Sequence, residues 1–297
     1  MLFRSLSGTK LDLASLVKYK LPIKYSDQIR TNNYKIDIDI TRALLLNQKQ
    51  LDNLHININC SAGFCNQGLI KANYNKEQFL NFTISQDRQN DYSDIKGKIT
   101  NISYLAEGLD ITNLLENGDF DIQAKNHFID SKNQIEGNFK SNDKITFFET
   151  KKIKDLAKND LFSQVKDTIF NKGKTIFNDM RGEFIIKSGK IDLQSFIANN
   201  LKVGITARGK IDLKQKNFSF KGMIVPGFII NNLFGIDKIP IVGDVVSGLL
   251  TGGEKGGGLF GIRYYYSKES SINEEKFETE KIKSFIPTTI KNLFDLI

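Results

Sequence analysis

Apolar and polar residues alternate with a period of two along much of the chain. In residues 34–40, Ile36, Ile38 and Ile40 alternate with charged residues. The same alternation recurs over 54–60, 80–84, 120–124, 135–139, 201–207 and 218–220. Successive side chains of a β-strand point to opposite faces, so each segment predicts a strand with one apolar and one polar face. Antiparallel sheets with a single covered face have this pattern.

A short motif repeats within this strand-rich region. Gly-Lys-Ile-Asp-Leu occupies 189–193 and occurs again at 209–213, twenty residues later. Twenty residues accommodate two short strands and two turns, which favours a β-meander whose hairpins follow one another in series. The segment 262–266 also has the composition of a strand.

A few segments have helical spacing instead. The longest spans about 152–171, where the apolar residues fall on one side. A short helix is predicted over 110–116, ending near Gly118. Further short apolar helices are predicted over 228–234, 242–250 and 287–297, and Pro287 suits the first position of the last one.

Composition is that of an ordinary folded protein, with 40% hydrophobic and 26% charged residues among 297. This balance excludes wholesale disorder. The formal net charge is +8, but the lysines are scattered and offset by Asp and Glu. Nucleic-acid binding usually needs basic residues clustered with stacking aromatics, so no nucleic-acid partner is expected.

No group of residues has the spacing of a catalytic or metal site. The glycine-rich segment 256–261 matches the dinucleotide fingerprint in letters only, because it follows a predicted helix and precedes a predicted strand. His55 lies on the polar face of a strand and belongs to no catalytic or metal-binding motif. The glutamates of 274–280 alternate with lysines as in a solvated segment. We therefore expect a non-enzymatic protein with no cofactor and no metal.

The two cysteines, Cys60 and Cys65, flank a short segment containing Gly63. The favoured interpretation is two isolated small residues on either side of a tight turn. The alternative is a local disulfide formed in an oxidising compartment. No second cluster completes a zinc site.

The first twenty residues lack the features of a secretory signal, because charged residues interrupt each apolar run. No stretch of about 18 apolar residues occurs, so no transmembrane helix is predicted.

The order of landmarks after residue 188 resembles a known family. These landmarks are Ile-Thr-Ala-Arg-Gly-Lys-Ile-Asp at 205–212, Gly-Met-Ile-Val-Pro at 222–226, Ile-Pro-Ile-Val-Gly at 239–243, Gly-Leu-Leu-Thr-Gly-Gly at 248–253 and Gly-Leu-Phe-Gly at 258–261. A Tyr-rich strand and a Pro-led terminal helix follow. This order resembles the AsmA-like C-terminal domain of the YhdP/TamB group of bacterial envelope proteins. Upstream, 102–124 resembles the strand–helix–Gly–strand unit of the same group.

The resemblance implies a mainly β fold with a few helices. It would be an elongated, curved antiparallel β-meander that forms an apolar groove capped by short C-terminal helices. Residues 1–150 would form a β-repeat groove segment, and 151–297 the AsmA-like C-terminal segment. The same alternation would also fit a closed β-sandwich.

The resemblance further implies a lipid-binding or lipid-conducting protein of the cell envelope. Members of the group are thought to carry phospholipid through the periplasm between inner and outer membranes. They are longer and begin with a membrane anchor, so we expect a C-terminal fragment whose N-terminal portion or inner-membrane anchor belongs to the same system. The alternative function is a structural module, without lipid, for assembly of outer-membrane proteins.

Two sets of residues are the candidate site. Five apolar strand residues would line the groove and contact phospholipid or another acyl lipid: Ile186, Val203, Ile205, Phe218 and Phe220. Eight residues of the C-terminal helices would cap the groove or dock at a membrane surface: Phe228, Leu233, Phe234, Val245, Leu249, Ile290, Leu293 and Phe294. For the helices, simple packing on the end of the sheet is an equal alternative.

Overall fold

A computed structural model describes the backbone of most of the predicted strands. The residues described are 2–14, 33–61, 64–74, 77–86, 91–109, 115–129, 132–148, 173–212, 215, 217–226, 261–269 and 274–282. They are mainly β, as the alternation predicts, and their strands are largely antiparallel. The chain divides into two compact units, Met1–Ile145 and Thr146–Ile297. The predicted helices over 152–171, 228–250 and 287–297 lie outside the described residues.

Unit 1 is a meander of long strands. Its strands are β1 (Leu2–Asp12), β2 (Tyr34–Leu44), β3 (Gln50–Ser61), β4 (Phe64–Asn73), β5 (Phe79–Ser85), β6 (Tyr92–Ile99), β7 (Leu115–Glu116), β8 (Phe120–Ile129) and β9 (Lys132–Ser141). The main sheet has the order β1-β2-β3-β4-β5-β6-β8-β9. From β2 onward neighbouring strands are antiparallel, whereas β1 pairs with β2 in parallel, Leu2 opposite Tyr34 and Asp12 opposite Leu44.

Unit 2 has a second meander. Its strands are β10 (Ile145–Phe148, which starts at the unit boundary), β11 (Lys174–Phe177), β12 (Asp179–Lys187), β13 (Lys190–Asn199), β14 (Val203–Asp212), β15 (Asn217–Pro226), β16 (Gly261–Glu269) and β17 (Glu274–Ile282). Strands β12 to β17 pair in chain order, each antiparallel to the next.

The repeated Gly-Lys-Ile-Asp-Leu motif begins one of these strands and ends another. Lys187 pairs with Lys190, so Ser188 and Gly189 form a two-residue turn between β12 and β13. Both turn residues have positive φ, at 53° and 79°. This conformation matches the twist of a hairpin and is easiest for glycine, which explains Gly189 at the start of the motif.

One helix of unit 1 differs in position from the prediction. The helix α1 covers Ile102–Gly108, and Leu115–Glu116, predicted as helical, is the strand β7. Ile102, Leu105 and Ala106 have the i, i+3, i+4 spacing of a helix with one apolar face, and Leu105 and Ala106 are buried. That earlier segment can bury its apolar face against the sheet, so the helix forms there. No helix in the described part of the chain is both long and apolar enough to span a membrane.

The cysteines are bonded to each other, which corrects the favoured interpretation of two isolated residues. Cys60 and Cys65 form a disulfide, with their Cα atoms 3.8 Å apart. They are opposite each other in the β3–β4 hairpin. The structure thus confirms the alternative, a local disulfide, which the sequence alone did not favour because the pairing depends on the register of the two strands.

The glutamate-rich segment, predicted as solvated, forms the strand β17. Its charged side chains at Lys276, Glu278 and Glu280 are indeed exposed, and Arg263 of β16 donates a 3.0 Å hydrogen bond to Glu280. Pairing with β16 and the apolar contacts of Phe277 account for the strand despite its charge.

Candidate functional site

The pairing of neighbouring strands in unit 2 places many of its apolar residues on one face of the sheet. Directly paired residues of an antiparallel sheet point to the same side. Four rows therefore cross the sheet from β12 onward, and together we call them the apolar face of unit 2. The rows are Ile186–Ile191–Ile211–Phe218; Phe184–Leu193–Gly209–Phe220–Tyr266–Phe277; Gly182–Phe196–Ala207–Gly222–Tyr264; and Met180–Ala198–Ile205–Ile224–Ile262.

Four of the five residues predicted to line a groove belong to the apolar face of unit 2, and the fifth, Val203, is on the same side of β14 by alternation. Ile186 and Phe218 belong to the first row, Phe220 to the second and Ile205 to the fourth, while Val203 pairs with Pro226 at the end of the sheet. Val203 is only 2% exposed and belongs to the core. The other four are partly exposed, so a ligand lying on this face could contact them and not Val203.

Aromatic rings form a continuous cluster at the partly exposed end of this face. The ring centroid of Phe218 is 5.5 Å from that of Phe220 and 4.9 Å from that of Tyr266. The Tyr266 ring is 6.0 Å from that of Phe277 on the next strand. Sequence reasoning missed Tyr266 and Phe277, although both occupy alternate positions in their segments. Their rings extend the predicted Phe218–Phe220 pair across two more strands.

In the third row, the packing depends on Tyr264 and Gly222. The hydroxyl of Tyr264 donates a 2.9 Å hydrogen bond to the backbone carbonyl of Thr206. Glycine at position 222 leaves room for this hydrogen bond. A Cβ there would overlap the Thr206 carbonyl and come 2.8 Å from the Tyr264 hydroxyl. Burial raises the pKa of Tyr264 above its ordinary value. The neutral Tyr264 hydroxyl thus links β16 to β14 across the intervening strand β15.

The opposite face of unit 2 is polar over most of its length. Asp192, Lys210 and Ser219 are mutually paired across three strands, as are Arg208, Lys221 and Tyr265. The sheet is therefore two-sided, with aliphatic and aromatic groups on one face and mostly polar groups on the other. Ile197, Met223 and Val225 are buried toward one end of the polar face.

Unit 1 has an apolar face of the same kind. Two of its rows cross seven strands, from β2 to β9: Ile38–Ile56–Ile70–Phe82–Gly97–Ile122–Phe139 and Ile36–Ile58–Gly68–Ile84–Ile95–Ala124–Gly137. The large residues of these rows are partly exposed. A Cβ at Gly97 would collide with the ring of Phe82, so the glycine leaves the space into which that ring packs.

One end of this face is closed by α1. Ile40, Leu54, Ala72 and Ile99 are buried there together with Leu105 of the helix. The backbone nitrogen of Gln50 donates a 3.0 Å hydrogen bond to the Tyr104 hydroxyl, and the Tyr104 and Tyr74 rings stack 4.9 Å apart. The apolar face of unit 1 is therefore a buried core at the end next to α1, and elsewhere it consists of partly exposed apolar rows.

On the polar face of unit 1, the structure pairs a histidine that the sequence left without a partner. His55 Nδ1 lies 2.6 Å from Asp39 Oδ1 on the neighbouring strand. Asp37 is beside this pair and accepts a 3.3 Å hydrogen bond from Asn57. The ligand-type atoms of Asp37, Asp39 and His55 lie within 4.8 Å of one another. These cross-strand hydrogen bonds account for the grouping.

The eight residues predicted to cap the groove or dock at a membrane, from Phe228 to Phe294, lie outside the described residues. In comparisons with known proteins, no family model, no curated protein and no solved structure matches this chain.

Proposed function

We propose that this protein binds acyl lipid on the apolar faces of its sheets and conducts it along them. The observation that carries the proposal is the apolar face of unit 2, where four in-register rows contain partly exposed large side chains. Four residues chosen from the sequence as groove-lining, Ile186, Ile205, Phe218 and Phe220, lie partly exposed on this one face.

The dimensions suit an acyl chain. Neighbouring strands are about 4.8 Å apart, so six strands span roughly 24 Å. The hydrocarbon core of a bilayer is about 30 Å thick, so one acyl chain occupies about 15 Å. One chain could therefore lie along a row and contact several strands at once.

The energetics favour such a surface as a path for lipid. Each methylene exposed to water costs about 0.8 kcal/mol, so a two-tailed lipid with ~30 methylenes faces a barrier above about 20 kcal/mol in water. Rows of isoleucine, leucine and phenylalanine replace that water on one side. A partly exposed apolar face therefore lowers the barrier without a covalent or charged site.

We place this activity in the periplasm, between the inner and outer membranes of a bacterial envelope. The placement comes from the resemblance to the AsmA-like domain of the YhdP/TamB group, in which this chain would be a C-terminal part of a longer anchored protein. The Cys60–Cys65 disulfide supports the compartment, because disulfides persist where the environment is oxidising.

The test compares two neighbouring positions on opposite faces. Phe218→Asp puts a charge on the apolar face of unit 2, while Asn217→Asp puts the same charge on the polar face. Each purified chain is extracted with solvent, and the lipid per mole of protein is measured by mass spectrometry. We expect Phe218→Asp to lower the lipid content about tenfold, because a carboxylate is costly to bury beside acyl chains, and Asn217→Asp to leave it unchanged.

Circular dichroism shows whether each variant is folded. Equal lipid content in folded Phe218→Asp and wild-type protein would refute the proposal. Absence of lipid from the wild-type protein, together with a crosslinked outer-membrane protein, would favour the assembly module instead.

A further inference from the structure

Unit 2 contains a shallow cavity of about 400 Å³ whose charged lining residues are on the polar face. Leu193, Gly209 and Phe220 of the apolar rows also border it. Its lining comes from β13 to β16. The register of β13 against β14 shifts between Leu193 and Phe196, where the strand bulges. A bulge bends its strand and interrupts the ladder, and here the interruption lies beside Arg208.

Positive charge predominates in this cavity. Arg208, Lys210 and Lys221 line it, and Asp192 is its one acidic residue, giving a net charge of +2 (three minus one). Arg208 and Lys221 are directly opposite each other across the β14–β15 ladder. Like charges in that position destabilise a sheet, and an anion between them would remove the repulsion.

The Nε atom of Arg208 is buried and lacks an acceptor among the described residues. Within the same part of the chain, Lys210 and Lys221 have no ion pair either. A buried donor without an acceptor is costly, so the site is incomplete as the protein alone provides it.

Two hydroxyl groups complete the ring of donors. Ser219 is opposite Lys210, and Tyr265, which is 43% exposed, is opposite Lys221. We propose that Arg208, Lys210 and Lys221, with Ser219 and Tyr265, form a binding site for a phosphate ester on the polar face of unit 2. Arginine binds phosphate oxygens through two parallel N–H groups, and lysine adds a point charge.

The phosphate ester could belong to a lipid headgroup or to a small soluble molecule, since both offer the same oxygens. The proposed binding groups are on the face opposite the apolar rows, although Phe220 also borders the cavity. The tests of the two proposals change different residues, so the failure of one is distinguishable from the failure of the other. Two probes separate the two sources: sn-glycerol 3-phosphate, measured by titration calorimetry, and vesicles of phosphatidylcholine and phosphatidic acid in equal parts, measured by flotation.

The test uses the full chain at physiological ionic strength, where weak surface attraction is screened. We expect saturable binding of at least one probe. Lys221→Gln should weaken it about 10-fold and Arg208→Gln with Lys221→Gln about 100-fold. Lys221 is exposed, so the single variant tests the site even if the double variant does not fold.

The matched control is Lys96→Gln with Lys98→Gln, which removes the same charge from exposed positions on the polar face of unit 1. It should bind as the wild type does. Binding of glycerol phosphate alone assigns the site to a soluble ester, and binding of the vesicles assigns it to a headgroup. Failure to bind either probe, or an equal loss in the control, would overturn the proposal.

Discussion

Gly222→Ala should destabilise unit 2 because the space for its methyl group is already occupied. The new Cβ would overlap the carbonyl oxygen of Thr206 and lie 2.8 Å from the hydroxyl of Tyr264. Both obstacles belong to one hydrogen bond, the 2.9 Å contact from the Tyr264 hydroxyl to the Thr206 carbonyl. The substitution therefore forces β14 and β16 to move or breaks that bond.

The magnitude follows from two costs. Overpacking a filled site costs about 1–3 kcal/mol, and leaving a buried polar group unpaired costs about 1–3 kcal/mol. We therefore expect a loss of about 2–5 kcal/mol in the free energy of unfolding, a large part of the ~5–15 kcal/mol typical of a domain.

The assay is urea denaturation of the full chain, with native-state hydrogen exchange of β15 and β16 to assign the loss to unit 2. Gly8→Ala is the control, because its nearest contact would be Ile40 Cδ1 at an ordinary 3.8 Å. We expect that control to change stability by less than about 0.5 kcal/mol.

A double-mutant cycle identifies the obstacle. Tyr264→Phe alone should cost about 1 kcal/mol for the lost hydrogen bond. In combination with Gly222→Ala, its effect should be less than additive, because both changes act on the same bond. Strict additivity, or a Gly222→Ala variant within about 0.5 kcal/mol of the wild type, would refute the account of this site.

Two further predictions concern unit 1. Burial raises the pKa of Tyr74 from 10.0 to about 12; the folded state therefore holds its proton more tightly, so stability is full below pH 10.0 and falls as pH rises toward about 12, by up to ~3 kcal/mol. Urea denaturation across this range should show the fall in the wild type and a shallower one in Tyr74→Phe, and parallel curves would contradict the assignment. Replacing Cys60 and Cys65 with serine should lower stability by about 2 kcal/mol, the loop-closure entropy of so short a ring. Thermal unfolding of oxidised, reduced and double-serine chains measures this, and identical midpoints would show that the disulfide contributes nothing.

The strands could be predicted from the sequence because a period of two has a direct geometrical meaning. The alternation of Ile36, Ile38 and Ile40 defines a face without any knowledge of the neighbouring strand. The same argument placed Phe218 and Phe220 side by side, and the structure confirms that they share a face.

Other features depend on which residues become neighbours across a ladder, which one strand does not reveal. The Asp39–His55 contact and the Cys60–Cys65 bond both arise from register. Phe277 was overlooked because the charges around it dominate the composition of its segment. The bulge of β13 beside the unpaired Arg208 Nε likewise has no simple sequence marker.

The parallel pairing of β1 has a consequence for the order of folding. Residues paired between β2 and β3 can be as close in the chain as Leu44 and Gln50, whereas each β1–β2 pair, such as Leu2 and Tyr34, is 32 positions apart. Closing the longer loop costs more entropy before any contact forms, and distant pairings slow folding. We therefore expect the hairpins from β2 onward to form first as a template, with β1 joining the sheet afterwards although it precedes them in the chain.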